Sequence, residues 1–172
     1  MHMNLKYGVP AVLALLAVFA APAAEAQQTR ELNVSATVPE ACVINSPAVI
    51  PLDFGVVYPT VAADSTASAQ FLYRCSQGTD LTIELDLGDD PGATLAKRIM
   101  VGANTADSLL YRLEKDDGSD WGDLASGFAF TDTASGFGTL ESVTINGVIT
   151  QADAQQAEVD SYSDTVTITL LP

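Results

Sequence analysis

A side-chain period of two runs through most of the chain, and it restricts the possible folds more than any other feature. Leu32, Val34, Ala36 and Val38 alternate with Asn33, Ser35 and Thr37. Ala69, Phe71, Tyr73 and Cys75 alternate with Gln70, Leu72 and Arg74, and Leu81, Ile83, Leu85 and Leu87 with Thr82, Glu84 and Asp86. Val143 and Ile145 flank Thr144, and Val166, Ile168 and Leu170 are separated by Thr167 and Thr169. Each run reads as a half-buried strand with one apolar and one solvated face. Tyr111–Glu114 is a shorter candidate. Turn residues separate the runs: Gly88-Asp-Asp-Pro-Gly92, Asp116-Asp-Gly-Ser-Asp120, Ser135-Gly136 and Asn146-Gly147. Asn146-Gly147 lies between two short apolar runs and predicts a hairpin. Gln151–Glu158 predicts a short helical turn. Several short antiparallel strands with turns between them indicate an all-β sandwich or barrel.

The run from Arg30 to Val38 stands apart, ahead of the other strands. It either belongs to the chain's own sheet or adds to the exposed sheet edge of another molecule, where backbone hydrogen bonds give affinity and alternate side chains fill pockets. Composition does not choose between these.

Met1 to Ala26 has the layout of a secretory signal peptide. Lys6 precedes an apolar stretch from Val9 to Ala20, and Ala24-Glu-Ala26 forms a small-residue cleavage site. The apolar stretch is too short for a comfortable bilayer span, and no later segment is long enough. The expected mature chain is exported, with no membrane anchor after cleavage. Its only histidine, His2, leaves with the leader, which disfavours Ser-His-Asp and Cys-His catalysis and imidazole metal sites. With 22 Asp and Glu against 7 Lys and Arg, the net charge is −15. That charge repels nucleic acid and anionic membranes. Apolar residues make up 48% of the chain and charged ones 17%, enough to build a core in one domain.

Export decides how the two cysteines are read. In an oxidising compartment Cys42 and Cys75 most simply form one disulfide. By the loop-closure model such a bridge contributes roughly 3–4 kcal/mol. A redox pair is the alternative, but the spacing is not Cys-x-x-Cys. Two acidic groups, Asp86, Asp89 and Asp90, and Asp116, Asp117, Asp120 and Asp123, invite a calcium reading. Neither fits a calcium loop, and solvated turns explain them. Carboxylate pairs are too abundant here to indicate glycosidase chemistry. No catalytic residue, metal ligand or cofactor site is expected. Trp121 and Tyr58 read as core or groove walls rather than sugar platforms, and Tyr162 with Asp164 as a hydrogen-bonded corner.

Taken in order, the landmarks resemble the spore coat protein U domain, the subunit family of archaic chaperone–usher pili. They are Cys42-Val-Ile, Asp53-Phe-Gly55 with Tyr58-Pro59, Phe71-Leu-Tyr-Arg-Cys75 with Gly78, Arg98-Ile-Met100, Leu110-Tyr-Arg-Leu113, Trp121-Gly122 and Tyr162–Thr169. The resemblance implies an incomplete immunoglobulin-like sandwich lacking one strand, with an N-terminal donor strand. Residues 27–40 would be the donor extension and 41–172 the pilin domain. It implies a structural pilus subunit that a periplasmic chaperone stabilises and an outer-membrane usher assembles with identical or related subunits at the cell surface. Leu32, Val34, Ala36 and Val38 match the donor positions, and Cys42 and Cys75 match the family disulfide. Asp160 departs from the family's usual glycine, and the ending Leu170-Leu171-Pro172 from its usual aromatic residue. The alternative function is a secreted, monomeric β-sandwich that binds carbohydrate or calcium, with Arg30–Val38 in its own sheet.

Overall fold

A computed structural model of the chain describes residues 27–172; the signal peptide expected at 1–26 lies outside them. Nine strands form among the described residues: β1 (Cys42–Ile44), β2 (Ser65–Cys75), β3 (Asp80–Leu85), β4 (Arg98–Gly102), β5 (Ser108–Glu114), β6 (Phe130–Thr133), β7 (Glu141–Ile149), β8 (Tyr162–Ser163) and β9 (Ile168–Leu171), with one helical turn, α1 (Gln151–Ala154). They make two sheets, ordered β1-β2-β7-β5-β4-β8 and β6-β3-β9. Every ladder is antiparallel. The fold is an all-β, immunoglobulin-like sandwich.

The period of two produces the core directly. Phe71, Tyr73 and Cys75 of β2, Leu109, Tyr111 and Leu113 of β5, and Val143, Ile145 and Ile149 of β7 point inward from the large sheet. Leu81, Ile83 and Leu85 answer from the small one. Trp121 is fully buried among them. Its Nε1 donates to the Ile83 carbonyl at 3.1 Å, which satisfies the one polar atom of the ring. The turn at Gln151 also forms as expected, with Thr150 as its N-cap, accepting from Asp153 N–H at 3.1 Å.

Two local expectations are corrected. Asn146-Gly147 makes no hairpin; β7 runs straight through both residues. Gly147 is there for close approach: a Cβ would sit 2.6 Å from Phe54 Cζ and 2.7 Å from Leu52 Cδ2. The Leu81 run stops at Leu85 rather than reaching Leu87, because Asp86 turns the chain by accepting from Gly88 N–H at 3.0 Å, and Gly88 has φ +90°. Residues 27–41 carry no strand. Leu32, Val34 and Val38 are each more than four-fifths exposed, at 86%, 84% and 84%, and Ala36 is exposed too. Strands β4 and β6 carry no clear alternation and were not expected.

Candidate functional site

Two sheets have four edges, and three of these are protected. Strand β8 has only two residues and β1 only three. Strand β6 carries Asp132 on its exposed run. Short edges and charged edges resist pairing with other chains. Strand β9 has neither defence: Thr165 to Leu171 contains no charge and no proline. Its main chain is half used. Asp86 N–H donates to the Thr167 carbonyl at 3.1 Å, and Thr167 N–H donates to Asp86 Oδ1 at 2.9 Å. By the two-residue alternation of a strand, the N–H and C=O groups of Val166, Ile168 and Leu170 point away from β3, to an edge with no partner.

The segment that follows β1 is also bare. Ile50, Leu52 and Phe54 are half-buried, alternating with exposed Pro51, Asp53 and Gly55. This is an extended wall with one apolar face, yet residues 46–57 make no backbone–backbone hydrogen bond to any described residue. Pro51 removes one donor from it. Phe54 lies edge-on to Tyr111 at 6.4 Å between centroids and 69° between planes, in the space that Gly147 leaves open. Ile50, Leu52 and Phe54 pack against the same core as Val166, Ile168 and Leu170 of the C-terminal strand, and all six stay half-buried. Strand β9 lies beside β1, from which the wall continues. Two half-buried apolar rows, each beside unpaired main chain, thus meet the same core. The wall also borders a cavity of about 580 Å³ lined by Leu52, Phe54, Val57, Leu109, Ile149 and Tyr162.

A polar rim fixes the chain before β9. Asp160 Oδ2 accepts from Asn104 N–H and Thr105 N–H, each at 2.8 Å, and from Thr105 Oγ1 at 2.9 Å. Its Oδ1 accepts from Asn104 Nδ2 at 2.6 Å and Ser161 N–H at 2.8 Å. These donors, led by the main chain of Thr105 and Asn104, hold its carboxyl far below the usual range. Tyr162 and Asp164 form a corner, but not with each other. Tyr162 Oη donates to Asp107 Oδ2 at 2.9 Å and lies 2.8 Å from the Glu158 carbonyl. Tyr111 Oη donates to Asp164 Oδ2 at 2.5 Å, and Asp89 N–H to Asp164 Oδ1 at 2.9 Å. Burial, then the hydrogen bond to Asp164, pushes the Tyr111 phenol well above its ordinary value. Tyr111 therefore stays protonated and serves as a fixed donor.

The remaining candidates separate. Tyr58 is 60% exposed and is neither core nor groove wall. In the acidic turns, Asp117 Oδ1 accepts from Ser119 N–H at 2.9 Å and Asp123 Oδ1 from Ser126 N–H at 2.8 Å, so these carboxylates close their own turns. Among the described residues no group of acidic or cysteine side chains converges as a metal site would require. Cys42 and Cys75 are disulfide-bonded and directly opposed across β1 and β2. Two features entered only as landmarks of the family resemblance, with no role assigned to them: the bare wall 50–57, which contains Asp53-Phe-Gly55, and Arg98. Arg98 is fully buried. It donates from Nε and Nη2 to the Asp86 carbonyl, at 3.1 and 2.9 Å, and from Nη2 to the Trp121 carbonyl at 2.6 Å. It fastens the loop before β4 to the core.

The family model of the Spore Coat Protein U domain matches residues 28–169. The chain belongs to this family. Comparison with curated proteins finds no significant match. Among solved structures it is similar to a chain of the CsuC–CsuE chaperone–tip adhesion subunit pre-assembly complex from archaic chaperone-usher Csu pili of Acinetobacter baumannii. That similarity has a TM-score of 0.54 and 20% identity over 78% of this chain and 40% of that one. At that identity the likeness is one of fold, and the spore coat protein U domain described here spans only 40% of the other chain's length.

Proposed function

We infer that the protein is a structural subunit of a chaperone–usher surface pilus and that its groove receives an extended segment from a neighbouring subunit. The observation that carries this reading is the uncharged, unpaired edge of β9 beside half-buried Val166, Ile168 and Leu170. The bare wall 50–57 offers main-chain partners on the other side. The donor is the segment 27–40 of an identical or related subunit, with Leu32, Val34, Ala36 and Val38 facing into the groove. Each larger side chain contributes roughly 1.5–3 kcal/mol on burial and Ala36 less, a gross gain approaching ten kcal/mol before ordering costs. Before assembly, a periplasmic chaperone covers the same groove and an outer-membrane usher receives the complex; the chaperone in the similar complex supports this. Export through cleavage of residues 1–26 brings the chain to that compartment. The reaction is polymerisation without covalent chemistry, which needs no catalytic residue. A closed, monomeric binding module is disfavoured because the edge of β9 has no partner strand.

The reading is tested in the donor segment. Deleting residues 27–38, or changing Val34→Asp, should abolish fibre growth seen by electron microscopy while chaperone co-purification persists. Fibres of normal length from the deletion variant would contradict it.

A further inference from the structure

The Cys42–Cys75 disulfide stands where the proposed donor segment enters the body. Just ahead of it, Ser76 N–H donates to the Ala41 carbonyl at 2.8 Å and Ser76 Oγ to the Pro39 carbonyl at 3.1 Å. Beyond Cys42 the main chain is thinly held. Strand β1 supplies three pairs. Asn45 N–H then donates to the Leu72 carbonyl at 2.8 Å, and Leu72 N–H to Ser46 Oγ at 2.7 Å. The groove wall follows at once, without a ladder. The wall therefore lies inside the loop that the disulfide closes, with a sequence separation of 33. At the far end of that loop is β2, the longest strand at 11 residues, paired with β7 from Ser65 to Tyr73.

We propose that this disulfide is a tension bypass, carrying the pull of one neighbouring subunit past the groove wall that grips the other. The proposal rests on the donor-segment reading above. Tension applied through residues 27–40 reaches Cys42, crosses the S–S bond to Cys75 and spreads along the β2–β7 ladder. Without the bond, the same tension falls on β1, whose three pairs open in turn from the Cys42 end. The Ser46 hydrogen bond to Leu72 goes next, and only side-chain packing holds residues 47–57 beyond it. Their withdrawal removes Ile50, Leu52 and Phe54 from the groove. One subunit interface would then fail because the other was loaded.

Optical-tweezers pulling on the full chain tests this, with one handle at the N-terminal side of the 27–40 segment and the other at Asp117 in an exposed turn. A fluorescent peptide of the 27–40 sequence occupies the groove. The same folded, oxidised molecules are pulled before and after reduction by dithiothreitol, so no variant has to fold. After reduction, an extra extension of at most roughly 80 Å, for residues 42–64 at about 3.5 Å per residue, should appear below the force that unfolds the rest, with peptide fluorescence lost in the same step. Oxidised molecules should lack that step and keep the peptide until global unfolding. Reduced molecules that unfold in one event at the oxidised force would overturn the bypass. Failure of the peptide to bind unpulled, oxidised chain would instead contradict the donor-segment reading, while the order of extension steps would still decide the bypass.

Discussion

At the residue scale, the site depends on a glycine and an aspartate that make no apolar contribution of their own. Gly147 gives Phe54 and Leu52 room to lie against β7. A larger side chain there displaces the wall rather than β7, because β7 is paired on both sides and the wall on neither. Gly147→Val should cost about 1–3 kcal/mol in urea unfolding, as overpacking does, and weaken binding of a 27–40 peptide by about tenfold or more. Unchanged peptide affinity by fluorescence titration would mean that Phe54 does not form the groove. Asp160, in the place of the family's usual glycine, fastens the 104–105 turn to the approach to β9. Its carboxyl titrates lower in the folded chain than in the unfolded one. Its contribution to stability is therefore present above the unfolded value, near pH 4, and is lost as pH falls towards the folded value. Asp160→Asn cannot titrate, so its stability should fall less steeply than wild type from about pH 4 to pH 2. Parallel pH profiles from denaturant melts would refute that assignment.

At the element scale, β9 is an edge strand with two faces of use. Thr167 directs its main chain to Asp86, while Ile168 directs its own to open space. Ile168→Pro removes an outward N–H and spares the β3 ladder, and proline is tolerated on edge strands. The substitution should leave the β-sheet circular dichroism signal in place and reduce peptide binding by about tenfold or more. Retained affinity would show that main-chain pairing at β9 is not used. The alternation that makes β9 also made it legible in the sequence, as it did Phe71–Cys75, Leu81–Leu85 and Val143–Ile145. One face of each meets a core, so the polar and apolar positions sort cleanly. Asn146-Gly147 misled because its local turn preference is overridden by pairing on both sides of β7, with Phe54 filling the space above the glycine. Strand β4 was obscured by Arg98, a charge placed inward, whose Nε and Nη2 donate to carbonyls. The groove wall was obscured by Pro51 and by the lack of a partner strand, which is the property that gives it a role. The disulfide followed from compartment and parity alone.

At the scale of the whole molecule, the proposed reading makes the edge of β9 an open seam, which residues 27–40 of another copy have the alternation to fill. A net charge of −15 keeps bodies apart by repulsion. Thr165 to Leu171 is uncharged, and that leaves the seam as the favoured place of contact. The proposed assembly by strand addition rests on the unpartnered edge of β9. The most direct test of that claim is residue-resolved amide hydrogen exchange on the chain alone and with excess 27–40 peptide. The account predicts rapid exchange at Val166, Ile168 and Leu170 in the chain alone and strong protection once peptide is added, with a Val34→Asp peptide giving none. Protection already present in the isolated chain, or no change on adding peptide, would contradict it.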